Sequence, residues 1–175
     1  MTFISYEIQQ VTVHKPFYFI IRSMDMTLRQ AQLNMTKNAT FAPKVPLIIW
    51  LLENPKSPLH LPGAISLQKH DYVHCLLGAN LKLDGEAFVI GFTMGCDTRM
   101  TGFHLWLFKM VSCHFYPRQY RFSGRKHWII FKRGYDLAKQ TPVRHLESFD
   151  FDSWLDKPLE QLRRLFFGEK ALNFQ

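Results

Sequence analysis

The sequence predicts an all-α protein, a single domain over residues 1–175 built from about six or seven packed helices. Three observations lead there. Every strong apolar period in the chain is helical, and no convincing run of strands alternates apolar with polar residues. Proline-bearing breaks, "KNATFAPKVP" and "PKSPLHLPG", separate the periodic segments. Hydrophobic residues make up 47% and charged residues 21% of 175 residues, the balance of a globular chain that can bury a core.

The elements follow in order. "FISYEIQQVTV" alternates loosely and fits either a strand or an irregular helix. Phe17, Ile20, Ile21, Met24, Leu28 and Ala31 predict a helix from Phe17 to about Met35. "PLIIWLLEN" reads as a short helix with Pro46 in its first turn. The next helix begins near Ile65 or Ser66, with Ser66 as N-cap, and stops at Gly78. Asp84 is expected to cap a helix running to about Gly95. A long helix from about Arg99 to Tyr116 should carry Phe103, Leu107, Phe108 and Val111 on one face and end at Pro117. Residues 125–139 form a basic amphipathic helix, and Asp156 and Pro158 open the last one.

Composition narrows the function classes. No run of eighteen apolar residues exists, and "VPLIIWLL" is too short to span a bilayer. "MTFISYEIQQ" lacks the basic start of a secretory signal. Cys75, Cys96 and Cys113 form no CxxC pair, so neither a disulfide framework nor a cysteine zinc finger is expected. A reducing cytoplasm is the expected home, and the sequons at Asn34 and Asn38 would matter only in a secreted chain. Sixteen phenylalanines imply a bulky core or an apolar ligand cavity. Between Arg99 and Arg144 stand ten Lys or Arg residues and one acid, Asp136, which points to an anionic partner.

The chemistry concentrates in "HDYVHCLLGANLKLDGE", residues 70–86. His70 and His74 lie at i and i+4, on one face of the expected helix, and Asp71 flanks that face. On one straight helix Glu86 would lie about 18 Å beyond His74. The break at Gly78 and the restart at Asp84 instead let an antiparallel helix return Glu86 to the histidines. Two imidazoles and two carboxylates suit a divalent ion, Zn²⁺, Fe²⁺ or Mn²⁺, with room for water or substrate. Asp71 is either a ligand or a residue that orients an imidazole. HxxxH alone arises readily in a chain with eight histidines, whereas the added Asp and Glu make the pattern specific.

His70-Asp71-x-x-His74-x11-Glu86 resembles the HDxxH-x11-E signature of the Coq-four-like family of ubiquinone (coenzyme Q) biosynthesis. "HDYVHCLLG" and "GEAFVIGF" carry the resemblance, and "WLDKPLEQLRRLF" echoes it weakly. The resemblance implies an all-helical protein with one metal ion, usually zinc, on His70, Asp71, His74 and Glu86. It further implies an apolar channel for polyprenylated quinone precursors, attachment to a membrane surface, and a place in a biosynthetic complex. The activity it implies is oxidative decarboxylation at ring position C1, with Asp71 as ligand or catalytic carboxylate.

Phe88, Phe92, Phe103 and Leu107 would then hold an isoprenoid or quinone-type lipid tail, and Arg99, Arg118 and Arg121 would meet head-group charge. The rivals are an HExxH-like metallohydrolase with Asp71 as base, a lipid-binding scaffold with a structural metal, and a nucleic-acid module. The last would use the basic aromatic stretch 113–135, Arg118, Arg121, Arg125 and Lys126 with Tyr120 and Phe122, but no nucleic-acid fold signature accompanies it. The same stretch, with Trp128, suits a membrane interface or a plain solvated face. "TMGCDTRMTG" is either a kink shaping a pocket or core packing. His104, His114, His127 and His145 share no ligand spacing. A homodimer is the default assembly.

Overall fold

The computed structural model describes residues 26–37, 46–122 and 124–168, and these residues are helical with no strand among them. In chain order the helices are α1 (Leu28–Lys37), α2 (Leu47–Glu53), α3 (Leu67–Leu77), α4 (Leu83–Cys96), α5 (Gly102–His114), α6 (Gly124–Gln140) and α7 (Leu159–Phe167). A single 3-10 turn, Asp152–Trp154, precedes α7. The all-α expectation holds. The reading of residues 1–25 lies outside the described residues.

α4 organises the rest. It is apolar all round, so it can be stable only when enclosed. On one side Val89, Phe92 and Cys96 join α1, α3 and α7 through Leu28, Val73, Leu76, Leu162 and Phe166. On the other, Ala87, Ile90 and Met94 meet Leu52 of α2, Phe108 of α5 and Phe131 of α6. Phenylalanine supplies much of this bulk: Phe92, Phe108, Phe131, Phe151 and Phe166 are all at most 1% exposed. Phe92 packs between Phe166 and Phe167, with ring centroids 6.4 and 6.0 Å away.

α4 and α6 touch backbone to backbone. A Cβ on Gly91 would stand 2.0 Å from the Phe131 carbonyl oxygen, and one on Gly134 would stand 2.1 Å from that of Phe88. Gly95 lies against Tyr135 and Ala138 in the same way. Both ends of α4 are anchored by aspartates. Asp84 pairs with Lys126 at 2.6 Å and with His127 at 3.3 Å. Asp97 accepts from the Gly63 and Arg99 backbone amides and from the Arg99 guanidinium. Burial alone would raise the Asp97 pKa, but the bonds from Arg99 and Gly63 hold it at about 2.

Several expected boundaries move. The helix predicted from Phe17 to Met35 is not helical at Met26 and Thr27; Thr27 forms an isolated bridge with Pro158. α1 starts after a reciprocal box: the Gln30 amide donates to Thr27 Oγ1 at 3.2 Å, and the Thr27 amide to Gln30 Oε1 at 3.0 Å. Asp84 does not cap α4. Lys82 occupies the cap position without a side-chain bond, and Asp84 sits inside the first turn, turned toward α6. α5 begins at Gly102, not Arg99, because Thr101 and His104 form its capping box. The expected apolar face of α5 is not uniform: Phe108 is buried, whereas Phe103 is 63% exposed and stacks on Trp106, itself 55% exposed. Met94 and Met100 of "TMGCDTRMTG" are buried core residues, so that stretch packs.

The α4–α6 contact makes a direct prediction. Gly134→Ala should cost about 3 kcal/mol, a fall in Tm of roughly 6 to 12 °C, because the clash is with main chain that cannot move aside. Gly102→Ala, where no atom lies within 4 Å of the added Cβ, should stay within about 0.5 kcal/mol of wild type. Equal melting temperatures for the two variants would refute this account of the packing.

Candidate metal centre

The site is built by the end of α3 and the start of α4. Ser66 caps α3, accepting from the Lys69 amide. Gly78, at φ 64, closes it. The Gly78 amide donates to the Cys75 carbonyl at 3.3 Å and the Ala79 amide to the His74 carbonyl at 3.0 Å, the paired bonds of a Schellman turn. From α7, Arg163 also donates to the Cys75 carbonyl at 3.2 Å and covers one further carbonyl of α3's last turn, that of Leu76, at 3.0 Å. Asn80 Oδ1 then accepts from the Lys82 amide at 2.9 Å, and Gly85 lets α4 start directly against the Asn80 backbone. The chain reverses between Gly78 and Lys82, and Glu86 arrives one turn into α4.

The reversal brings His70, His74 and Glu86 together, with one ligand atom of each within 4.8 Å of the others, an arrangement that can hold a metal ion. His74 Nε2 lies 3.2 Å from Glu86 Oε1, and His70 Nε2 lies 3.6 Å from Oε2. His74 is fully buried, and its Nδ1 lies 3.3 Å from the Ala79 carbonyl oxygen. The ring is therefore flanked by two oxygens, while a neutral imidazole has one N–H. His74 Nε2 is buried without a hydrogen-bond partner. Two species satisfy both oxygens: an imidazolium, or a neutral ring that donates from Nδ1 to Ala79 and binds a cation at Nε2. The second is the usual arrangement of a metal-bound histidine, whose far nitrogen donates to a carbonyl. His70 supports it. Burial and the neighbouring His74 outweigh the pull of Glu86 and hold its pKa at about 4, so it presents a neutral ring at neutral pH. Burial raises the Glu86 pKa, but the two imidazoles outweigh it and keep the carboxylate below its ordinary value. The donor set is two imidazoles and one carboxylate, which fits a divalent ion of the zinc, iron or manganese kind.

Asp71 is not among the converging atoms. One residue on from His70, it is rotated away from the histidine face, toward Gln32 of α1. It still feels the charges of His74 and Glu86, and burial raises its pKa. Four other histidines serve elsewhere. His104 caps α5, His114 Nδ1 meets the Met110 carbonyl at 3.0 Å, His127 reaches Asp84, and His145 reaches Thr98 and Asp97. The expected lipid wall is not continuous: Phe92 is locked in the core while Phe103 stands in solvent.

Sequence reasoning missed a further carboxyl beside the site. Glu53, the last residue of α2, accepts a 2.5 Å hydrogen bond from the buried Tyr116 hydroxyl. Burial lifts its pKa to about 7; the Tyr116 bond opposes this and the charge of Glu86 adds to it. Its only local signal was being the single acid in the apolar run "PLIIWLLEN". The chain matches no family model, no curated protein and no solved structure.

Glu53 yields a pH prediction. Its folded pKa of about 7 lies above the ordinary 4.5, so between these values the folded state binds the proton more tightly than the unfolded chain. Its contribution to stability is thus lost as pH rises from 4.5 to 7. Glu53→Gln keeps an acceptor for Tyr116 but removes the charge. In chelator, it should be more stable than wild type by up to about 3 kcal/mol at pH 8 and equal to it near pH 4.5. Denaturant titrations at the two pH values check this, and a difference independent of pH would contradict it.

Proposed function

We propose that this chain is a metal-binding protein of the Coq-four-like type that acts on, or presents, a polyprenylated quinone precursor or related isoprenoid lipid at a membrane surface. Zinc is the proposed ion. The observation that carries the reading is the convergence of His70, His74 and Glu86 from two helices, with His74 held by the Ala79 carbonyl. These are three of the four residues of the HDxxH-x11-E signature. When bound, the ion supplies a Lewis acid for a substrate oxygen.

The chain's own groups supply the rest. Asp71, whose proton affinity burial raises, is the proposed catalytic carboxylate, holding or releasing a proton beside the ligands. Glu53, with a pKa of about 7, is a second proton-holding group, close enough to feel the charge of Glu86. Among the described residues no helix is long and apolar enough to cross a membrane. Attachment to a surface is supported instead by α5, which exposes Phe103, Trp106 and Met110 on one face. Oxidative decarboxylation at ring C1 is the reaction assigned under this reading.

One observation favours a second reading. The three ligand residues join α3 to α4 across the turn at Gly78, so an ion there also pins the fold, as a scaffold with a structural metal requires. Metal content by mass spectrometry, on protein purified without added metal, tests both. Wild type should carry one ion per chain, and His74→Ala and Glu86→Ala should each lose it. Undiminished metal in His74→Ala would remove the site. A prenylated aromatic compound in the lipid extract of the wild type, and turnover of a prenylated hydroxybenzoate that Asp71→Asn abolishes, support the enzymatic reading. A Tm that falls on chelation, without turnover, supports the scaffold.

A further inference from the structure

We propose that the groove between the C-terminal half of α5 and the start of α6 binds an amphiphilic anion: an apolar chain or ring bearing a phosphate or carboxylate. The groove encloses about 530 Å³, within the range of small-molecule sites. Phe122 and Trp128 give it a mostly apolar wall. Lys109, His114, Arg121 and Arg125 stand around that wall, and no lining residue is acidic.

The three cations among them, Lys109, Arg121 and Arg125, are not used by the fold in the ordinary way. Elsewhere on α6, Lys126 finds Asp84 at 2.6 Å and Lys132 finds Asp136 at 2.7 Å. Around the groove, Lys109 instead lies 5.1 Å over the Trp128 ring. Arg121 donates through Nε to the Tyr116 carbonyl at 3.1 Å, which fixes the side chain and leaves its two terminal nitrogens. His114 spends Nδ1 on the Met110 carbonyl and keeps Nε2. Arg125 is exposed and has no acidic partner among the described residues. The first turn of α6 also begins at this groove, at Gly124, and its amides favour negative charge.

Like charges gathered on an apolar surface repel one another, and no acidic side chain among the described residues pairs with them. A bound anion does, but a bare anion leaves the wall wet. A neutral chain covers the wall and leaves the charges unpaired. A ligand with both parts answers both, and this separates the groove from the metal centre, with which it shares no residue.

The probe is dodecyl phosphate below its micelle concentration, titrated into the full chain and followed by calorimetry and tryptophan fluorescence. Saturable binding of one molecule is expected, weakened about tenfold or more by Arg125→Glu, and unchanged by chelator or by His74→Ala. Arg133→Glu, an equal charge change on the same helix outside the groove, should bind as wild type does. Inorganic phosphate and dodecyl maltoside should each bind far more weakly. Dodecanoate distinguishes the head groups: binding as tight as the phosphate's supports the site with charge alone as the recognised feature, and weaker binding supports it with the phosphate preferred. Equal binding of the neutral maltoside, or equal losses in Arg125→Glu and Arg133→Glu, would overturn the proposal. So would binding to phosphatidic acid vesicles with none to the monomeric probe, which would make the region a bilayer contact and not a site. Loss of dodecyl phosphate binding in His74→Ala would transfer the ligand to the metal centre, whereas absence of metal with binding intact would sink only the functional reading above.

Discussion

The rest of the structure depends on how closely α4 and α6 approach. Gly91 and Gly134 each face the other helix's main chain, and no side chain fits between. α4 must be enclosed because it has no polar face, and the contact with α6 settles one whole side of that enclosure. α3 and α7 then close the second side and α5 and α2 the third. Glu86 rides on α4 and the histidines on α3, so the separation of the ligand atoms is inherited from helix packing and not from loop conformation. Sites built on packed helices hold their geometry better than sites built on loops.

The two ends of α4 solve opposite electrostatic problems with the same residue types. Asp84 lies in the first turn, where the helix dipole favours a negative charge, and it links to α6 through Lys126 and His127. Asp97 lies at the C-terminal end, where the dipole opposes it. Two backbone amides and the Arg99 guanidinium, with His145 3.5 Å away, compensate there. That is why Asp97 ionises at about 2 despite burial. Each aspartate thus ties α4 to a segment distant in sequence.

What could be read from the sequence was what local chemistry encodes. Ser66 and Gly78 bracket α3 because a cap acceptor and a left-handed residue are both strong, short-range signals. The return of Glu86 to the histidines followed from their spacing and the break between them. Asp84 looked like a cap because a cap acceptor is all that its neighbours reveal; its actual partners are 42 and 43 positions away. Phe103 could not be placed because α5 is apolar on several faces, so its period does not choose a side. The Thr27-x-x-Gln30 box lies inside the long apolar period through Leu28, which hides the helix start it makes. Glu53 and Tyr116 lie 63 residues apart and share no motif, so only the fold could join them. The spacing of Gly91 and Gly95 was visible, yet without α6 beside it nothing distinguished a close contact from a weak helix.

The group that orients His74 is a main-chain carbonyl, at Ala79. A side-chain partner can be lost by a single codon change, whereas a carbonyl is present whichever amino acid occupies the position. Position 79 is thus chemically permissive and conformationally demanding. The information that fixes the imidazole is stored one residue earlier, in the backbone angle at Gly78. Damage to this cluster need not touch His70, His74 or Glu86: a β-branched residue at 78 would disfavour the left-handed backbone there and take the Ala79 carbonyl away from the imidazole.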